Sequence, residues 1–273
     1  MKSATLFLFY FNLLAFLNPN PSAGQLAEPC DDSLRLVRLL SDTIFDSPQQ
    51  INLLVLNKKA LPAYKIDIAF QASELLKTSQ IAGNSGALAA INGSFFDMEL
   101  GGGVTYVEKA DSVISRTRAP DLEWGVSDSI INGALVMDKC QHLTIEAAKK
   151  DHVYENSVAE AYVMVSGPLL INDAIPQELP EMNFTNLRHP RTCLCITRNS
   201  IILVTVDGRS EQAAGMSLKE VQQLLLDLGC VEAINLDGGG STSMWMKEQG
   251  IVNIPSDKTG ERPVANAILI LKE

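Results

Sequence analysis

The stretch Ser217-Leu218-Lys219-Glu220-Val221-Gln222-Gln223-Leu224-Leu225-Leu226-Asp227-Leu228-Gly229, followed by Ala233-Ile234-Asn235-Leu236-Asp237-Gly238-Gly239-Gly240-Ser241, decides the fold class. Ser217 suits an N-cap because its hydroxyl can accept a first-turn amide. Glu220, three residues on, completes a reciprocal capping box. Val221, Leu224, Leu225 and Leu228 recur at helical spacing and share one face. Gly229 supplies a left-handed stop. The apolar run 233–236 is too short for a helix and reads as a buried strand. It ends on a carboxylate followed by three glycines.

Outward from this unit the pattern is strand-rich. Residues 192–197 and 201–206 are two apolar runs joined by a short turn at Asn199-Ser200, and 265–271 is a final buried strand. Residues 34–40 and 51–56 are strand-like, and 64–70 alternates as a half-buried strand does. Residues 79–84 suggest a short helix. The run 87–91 leads into Asn92-Gly93-Ser94, and 104–107 follows the flexible Gly101-Gly102-Gly103. Asn132-Gly133 between apolar arms predicts a hairpin over 130–136. Ser166-Gly167-Pro168 interrupts an apolar segment over 162–171. No repeat or linker divides the chain. The expectation is a single α+β domain over 24–273: a strand-rich mixed sheet with few helices, one of them a crossover between strands.

The N-terminus reads as a signal peptide over 1–23. Lys2 is followed by an apolar run over 6–17, broken by Asn12, and then by Pro21, Ser22 and Ala23. The run falls short of the roughly 20 residues a membrane span needs. The mature chain is therefore expected to be secreted or periplasmic, with no stable membrane anchor. Export permits disulfides, and five cysteines leave at least one unpaired within the chain. Cys193 and Cys195 share a strand face and read as core residues. The net charge of -10 disfavours nucleic acid as a partner. No zinc-ligand spacing is present, and no metal or cofactor is expected.

Two strand-to-glycine junctions allow backbone to approach a ligand closely: Asn92-Gly93 and Asp237-Gly238-Gly239-Gly240-Ser241. Consecutive amides in the second can form an anion-binding nest. The phosphate-binding loop of nucleotide enzymes is excluded, because no lysine follows Gly240. The serine-hydrolase elbow lacks its last glycine, since Ser243 stands there. Three arginines, Arg191, Arg209 and Arg262, lie at strand ends, and guanidinium forks bind phosphate oxygens in pairs.

The blocks Asn92-Gly93-Ser94-Phe95-Phe96, Arg191-Thr192, Asp207-Gly208-Arg209, Asn235-Leu236-Asp237-Gly238-Gly239-Gly240-Ser241 and Pro255-Ser256-Asp257, in that order, resemble the phosphodiester glycosidase family from about Ala87 onward. The resemblance implies cleavage between a sugar's anomeric carbon and a phosphate oxygen, with an N-acetylglucosamine-1-phosphodiester type of substrate. The chain is expected to lack the animal member's extra modules and anchor, so the expected substrate is a free sugar phosphodiester or a cell-envelope glycan. Such a reaction needs the phosphate gripped and the developing sugar cation stabilised. Arg191, Arg209, Arg262, Ser241 and the amides of Gly238, Gly239 and Gly240 suit the first task. Asp237 suits the second, with Asp207 and then Asp97 behind it. Asn92 is expected to hold sugar hydroxyls or an N-acetyl group. Two other readings are a sugar-phosphate binding protein without turnover, and a serine-type acyl hydrolase using Ser241 and His189.

Overall fold

The computed structural model describes residues 33–71 and 73–273. The expected signal peptide and Cys30 lie outside these residues. The α+β, strand-rich, helix-poor class is as expected. The strands form three main sheets whose ladders are all antiparallel, where one mixed sheet was expected.

The largest sheet has seven strands in the order Leu34–Ser41, Gln49–Asn57, Ser200–Val206, Arg191–Thr197, Cys230–Asn235, Leu169–Asn172 and Ile175–Pro176. The second runs Ser112–Ser115, Val107–Lys109, Glu160–Ser166, Gly133–Asp138 and Leu143–Ala147. The third runs Gly250–Ile251, Met244–Met246, Ala89–Asn92, Asn266–Lys272 and Tyr64–Phe70.

The antiparallel pattern follows from short connections. Arg191–Thr197 turns straight into Ser200–Val206. The helix Leu218–Asp227 then carries the chain across to Cys230–Asn235, on the other side of Arg191–Thr197. The strands on either side of the helix therefore run in the same direction but are not neighbours. Ser217 and Glu220 form the expected capping box at the start of this helix.

Strand alternation sorts side chains into layers. Leu54, Leu56, Leu194, Ile234, Ile91, Ile268, Leu135 and Met164 point from all three sheets into one central core. On the outer face of the large sheet, Leu53, Val55 and Val204 pack on Val221, Leu224 and Leu225 of the helix. Ile81 and Ala82, from the short helix Thr78–Asn84, cover the outer face of the third sheet at Ala90 and Ala267. Each fully buried Leu or Ile here contributes about 2 kcal/mol.

Two local expectations change. The Asn132-Gly133 pair does not turn a hairpin. The strand begins at Gly133, and Asn132 Oδ1 instead accepts the Leu169 amide at 2.7 Å. Cys195 is a core residue, as expected, but it is disulfide-bonded to Cys230 on the neighbouring strand. Closing a loop over a sequence separation of 35 contributes about 4 kcal/mol by loop entropy. Cys193 is a buried free thiol, and burial pushes it up to about 12.

The antiparallel register brings the chemistry to one sheet edge. Arg191 at the start of its strand lies opposite Val206, and Cys193 lies opposite Asn235. The residues just beyond, Asp207 and Asp237, thus emerge beside Arg191. In the third sheet Asn92 pairs with Ala267 at the matching end.

Candidate active site

The turn at 237–242 is held from several directions. The Asp237 amide donates to Gly93 O at 2.9 Å, and the Gly239 amide to Pro190 O at 2.9 Å. Ser241 N and Thr242 N close a short helical turn onto Gly238 O and Gly239 O. These bonds correct the expectation of three consecutive free amides. The Gly239 amide is committed to Pro190, and the Gly238 amide favours the charged form of Asp237.

The glycines are needed for another reason. Gly239 has φ +59°, and an added Cβ there would lie 3.0 Å from Arg209 Nη2. An added Cβ at Gly240 would overlap Arg262 Nη2 and Asp257 Oδ1. One at Gly238 would lie 2.8 Å from Pro190 O. The turn is bare so that two guanidinium groups and a strand can pack directly on its backbone.

Asp237 is partly exposed. Burial raises its carboxyl to about 6, against the opposing pull of the Ser241 hydroxyl, the Arg262 charge and the Gly238 amide. Ser241 Oγ is itself buried and has no partner at hydrogen-bonding geometry among the described residues. It lies close enough to favour the carboxylate, but no histidine pairs with it. The Ser–His pair that an acyl hydrolase needs is therefore absent among the described residues.

Arg262 is oriented by Asp257, whose two oxygens accept Nε at 2.7 Å and Nη2 at 3.0 Å. Its other edge carries Nη1, which makes no bond to Asp257 and has Met98 Sδ at 3.8 Å. Arg209 is exposed and has a left-handed φ of +63°, uncommon outside glycine, which turns it over Gly239. His189 is half-buried. Burial, then the charges of Arg191 and Arg209, lower its pKa, so it is neutral at pH 7.

Four expected site residues take other positions. Arg191 is only 1% exposed. Its Nε donates to Met216 O at 2.8 Å, and its Nη2 to Phe184 O at 2.7 Å and Leu187 O at 2.9 Å. It also stacks on the Phe184 ring. This geometry supports a brace between loops in place of the expected phosphate fork. Burial lowers its guanidinium to about 10. Asn92 is fully buried, with its amide oxygen accepting from Thr192 Oγ1 at 2.8 Å and Ser243 N at 3.1 Å. It holds protein atoms where sugar hydroxyls were expected.

Asp207 is 2% exposed and accepts from Asn253 Nδ2 at 3.2 Å and Ile254 N at 3.1 Å. Burial raises it to about 6. It anchors the loop after Val252. Asp97, the further reserve, is 1% exposed and accepts Arg118 Nη1 at 2.7 Å. Its pKa is lowered, chiefly by the Leu100 amide.

The convergent set is thus Asp237, Arg209, Arg262 and the turn between them, with Asn92 and Asp257 behind. Thr192 and Asp257 stand in the blocks that resemble the family, which did not show what they bind. Asn253 carried no signal, because its partners are remote in sequence. A cleft of about 470 Å³ lined by Thr197, Arg198, Leu226 and Leu228 contains no carboxylate and none of the three arginines. The site is therefore placed by its converging charges. Among the described residues no three His, Cys, Asp or Glu side chains group as a metal site. No helix there is long and apolar enough to cross a membrane.

Comparison with known proteins bears on this geometry. The phosphodiester glycosidase family model matches residues 85–271, more than half the chain. The bovine N-acetylglucosamine-1-phosphodiester alpha-N-acetylglucosaminidase is 29% identical over 185 residues, covering 63% of this chain and 33% of the bovine protein. An SPbeta prophage-derived uncharacterized protein of Bacillus subtilis is 31% identical over 130 residues, covering 43% of this chain and 20% of that one. The chain thus spans a third or less of the length of these relatives. The catalytic domain of the zebrafish N-acetylglucosamine-1-phosphodiester alpha-N-acetylglucosaminidase, solved in a form auto-inhibited by its pro-peptide, superposes with a TM-score of 0.69 at 18% identity. That superposition covers 92% of this chain and 87% of the zebrafish one and shows the shared fold. The chain belongs to the phosphodiester glycosidase family.

Proposed function

We propose that this chain is an exported enzyme that hydrolyses sugar-1-phosphodiesters at the anomeric carbon–oxygen bond. N-acetylglucosamine 1-phosphodiesters are the first substrates to try, because the bovine relative's name specifies that sugar. The observation that carries the reading is one carboxylate and two guanidinium groups on a single glycine turn. Arg209 lies over Gly239, Arg262 lies against Gly240, and Asp237 opens the turn.

The chemistry follows from those positions. A phosphodiester carries one negative charge, which Arg209 and the Nη1 edge of Arg262 neutralise. As the anomeric bond breaks, its electron pair passes to the phosphate oxygen, and the arginines stabilise the second charge that develops there. The departing phosphomonoester is a weak base, so protonation of the leaving oxygen matters less than in an ordinary glycoside. Asp237 faces the opposite need. Its carboxylate stabilises the sugar's positive charge and accepts a proton from the attacking water, whose oxygen bonds to the anomeric carbon. The products are the free sugar and a phosphomonoester, and Asp237 then returns its proton to solvent. A pKa of about 6 leaves Asp237 ionised at pH 7 while keeping it a competent base.

The reading extends to residues 24–273 as the mature domain. The N-terminal sequence and the Cys195–Cys230 disulfide, a bond favoured in oxidising compartments, support export. The test is incubation of the wild-type protein with N-acetylglucosamine 1-phosphodiesters, identifying both products by mass spectrometry. Release of sugar and phosphomonoester together is expected. Binding without turnover would make the protein a sugar-phosphate receptor instead.

A further inference from the structure

Two buried carboxylates take no part in the proposed chemistry, and each fixes a loop that carries an exposed apolar side chain. Asp97 accepts the amides of Glu99 and Leu100 at 2.9 Å each and is clamped by Arg118. The loop so fixed displays Met98 at 45% exposure and Leu100 at 80%. Asp207 accepts the Ile254 amide at 3.1 Å, and Ile254 is 57% exposed. Its neighbour Asn253 ties the same loop to Thr242 O at 3.1 Å, at the end of the glycine turn. Burying a carboxylate is costly, and here its hydrogen bonds fix the backbone beneath a solvent-facing hydrocarbon group. Apolar side chains held in water in this way suit contact with a ligand.

Arg262 shows what that ligand contact is. Its Nε and one side of Nη2 are taken by Asp257. The edge left for a phosphate carries Nη1, which contacts Met98 Sδ at 3.8 Å. A thioether is a weak acceptor, so a phosphate oxygen displaces it readily. A phosphodiester bound there has two ester arms. With the sugar arm directed to Asp237, the other leaves the phosphate beside Met98.

Resting on the reading proposed above, we propose that the second arm of the natural substrate is a hydrocarbon ester, held by Met98 and Ile254. A flexible, polarizable methionine suits an alkyl chain of variable shape. The substrate class is a sugar 1-(alkyl phosphate), in which an aliphatic alcohol is the second esterifying group.

The test compares kcat/KM for the methyl and octyl phosphodiesters of N-acetylglucosamine, below the micellar concentration, in the wild type, Met98→Ser and Ile254→Ser. Both positions are exposed, so folding is expected to survive, and equal melting temperatures check it. Part of the longer chain's surface should leave water on binding, so the wild type should favour the octyl ester by roughly tenfold or more. The serine variants should lower that octyl-to-methyl ratio severalfold. Equal kcat/KM for the two esters in the wild type would overturn this inference while leaving the phosphodiesterase reading intact. A preference unchanged in both variants would overturn the assignment to Met98 and Ile254. Hydrolysis of neither ester would overturn the underlying reading and this inference with it.

Discussion

Asn92 Nδ2 donates to the backbone carbonyl of Asp237 at 2.6 Å, locking the end of one sheet to the turn that carries the proposed catalytic carboxylate. Thr192 and Ser243 bind the Asn92 oxygen, so one side chain joins the Ala89–Asn92 strand, the Arg191–Thr197 strand and the glycine turn. Asn92→Ala would leave three partners unsatisfied, two of them buried. We expect it to destabilise the fold by about 3 kcal/mol or more and to lower kcat/KM in the molecules that remain folded. Urea unfolding and kinetics on the same preparation check this. A variant with wild-type stability would show that Asn92 is not the clamp.

Arg191 separates bracing from phosphate binding. A lysine cannot reach the carbonyls of Met216, Phe184 and Leu187 together, so at least one loses its partner. Arg191→Lys should cost about 3 kcal/mol of stability, while kcat/KM per folded molecule changes by less than about threefold. Unchanged stability with a large loss of kcat/KM would return Arg191 to the phosphate site.

Gly240→Ala tests the close packing of the turn. The new methyl would overlap Arg262 and Asp257, forcing the ion pair off the backbone. A drop in kcat/KM of about tenfold or more is expected from the displaced guanidinium, since binding groups misplaced by about 1 Å cost that much or more. Wild-type kinetics in this variant would mean that Arg262 can move without consequence.

The pH dependence carries a definite sign. The proposed mechanism requires ionised Asp237, so kcat/KM should rise with pH through about 6 and then level off. Arg262 favours the carboxylate, and its removal raises the Asp237 pKa further. Arg262→Met should therefore move the acid limb to higher pH as well as lower the plateau. A limb that stayed in place would mean that Arg262 does not act on Asp237.

Much of the fold was legible because it is written locally. The capping box at Ser217 and Glu220, the alternation of 64–70 and the apolar runs on either side of Asn199 each name their own element. The division into three antiparallel sheets was not, because strand order depends on pairings between residues far apart in sequence. The same limit governs the site. The glycine turn could be recognised, and Arg209 and Arg262 pack against Gly239 and Gly240 in it. Arg191, Asn92 and Asp207 were the right residue types at strand ends, yet each is fully engaged by protein partners. Nothing local to Arg191 reveals that three carbonyls from two other segments close around it.

The bond that breaks is the central claim, and oxygen-18 water reads it directly. Hydrolysis of an N-acetylglucosamine 1-phosphodiester in labelled water, followed by mass spectrometry of the phosphomonoester, shows which atom the water attacked. Attack at the anomeric carbon leaves the phosphomonoester unlabelled, and Asp237→Asn should slow its release by on the order of a hundredfold or more at unchanged melting temperature. A labelled phosphomonoester would mean cleavage at phosphorus and would contradict the account.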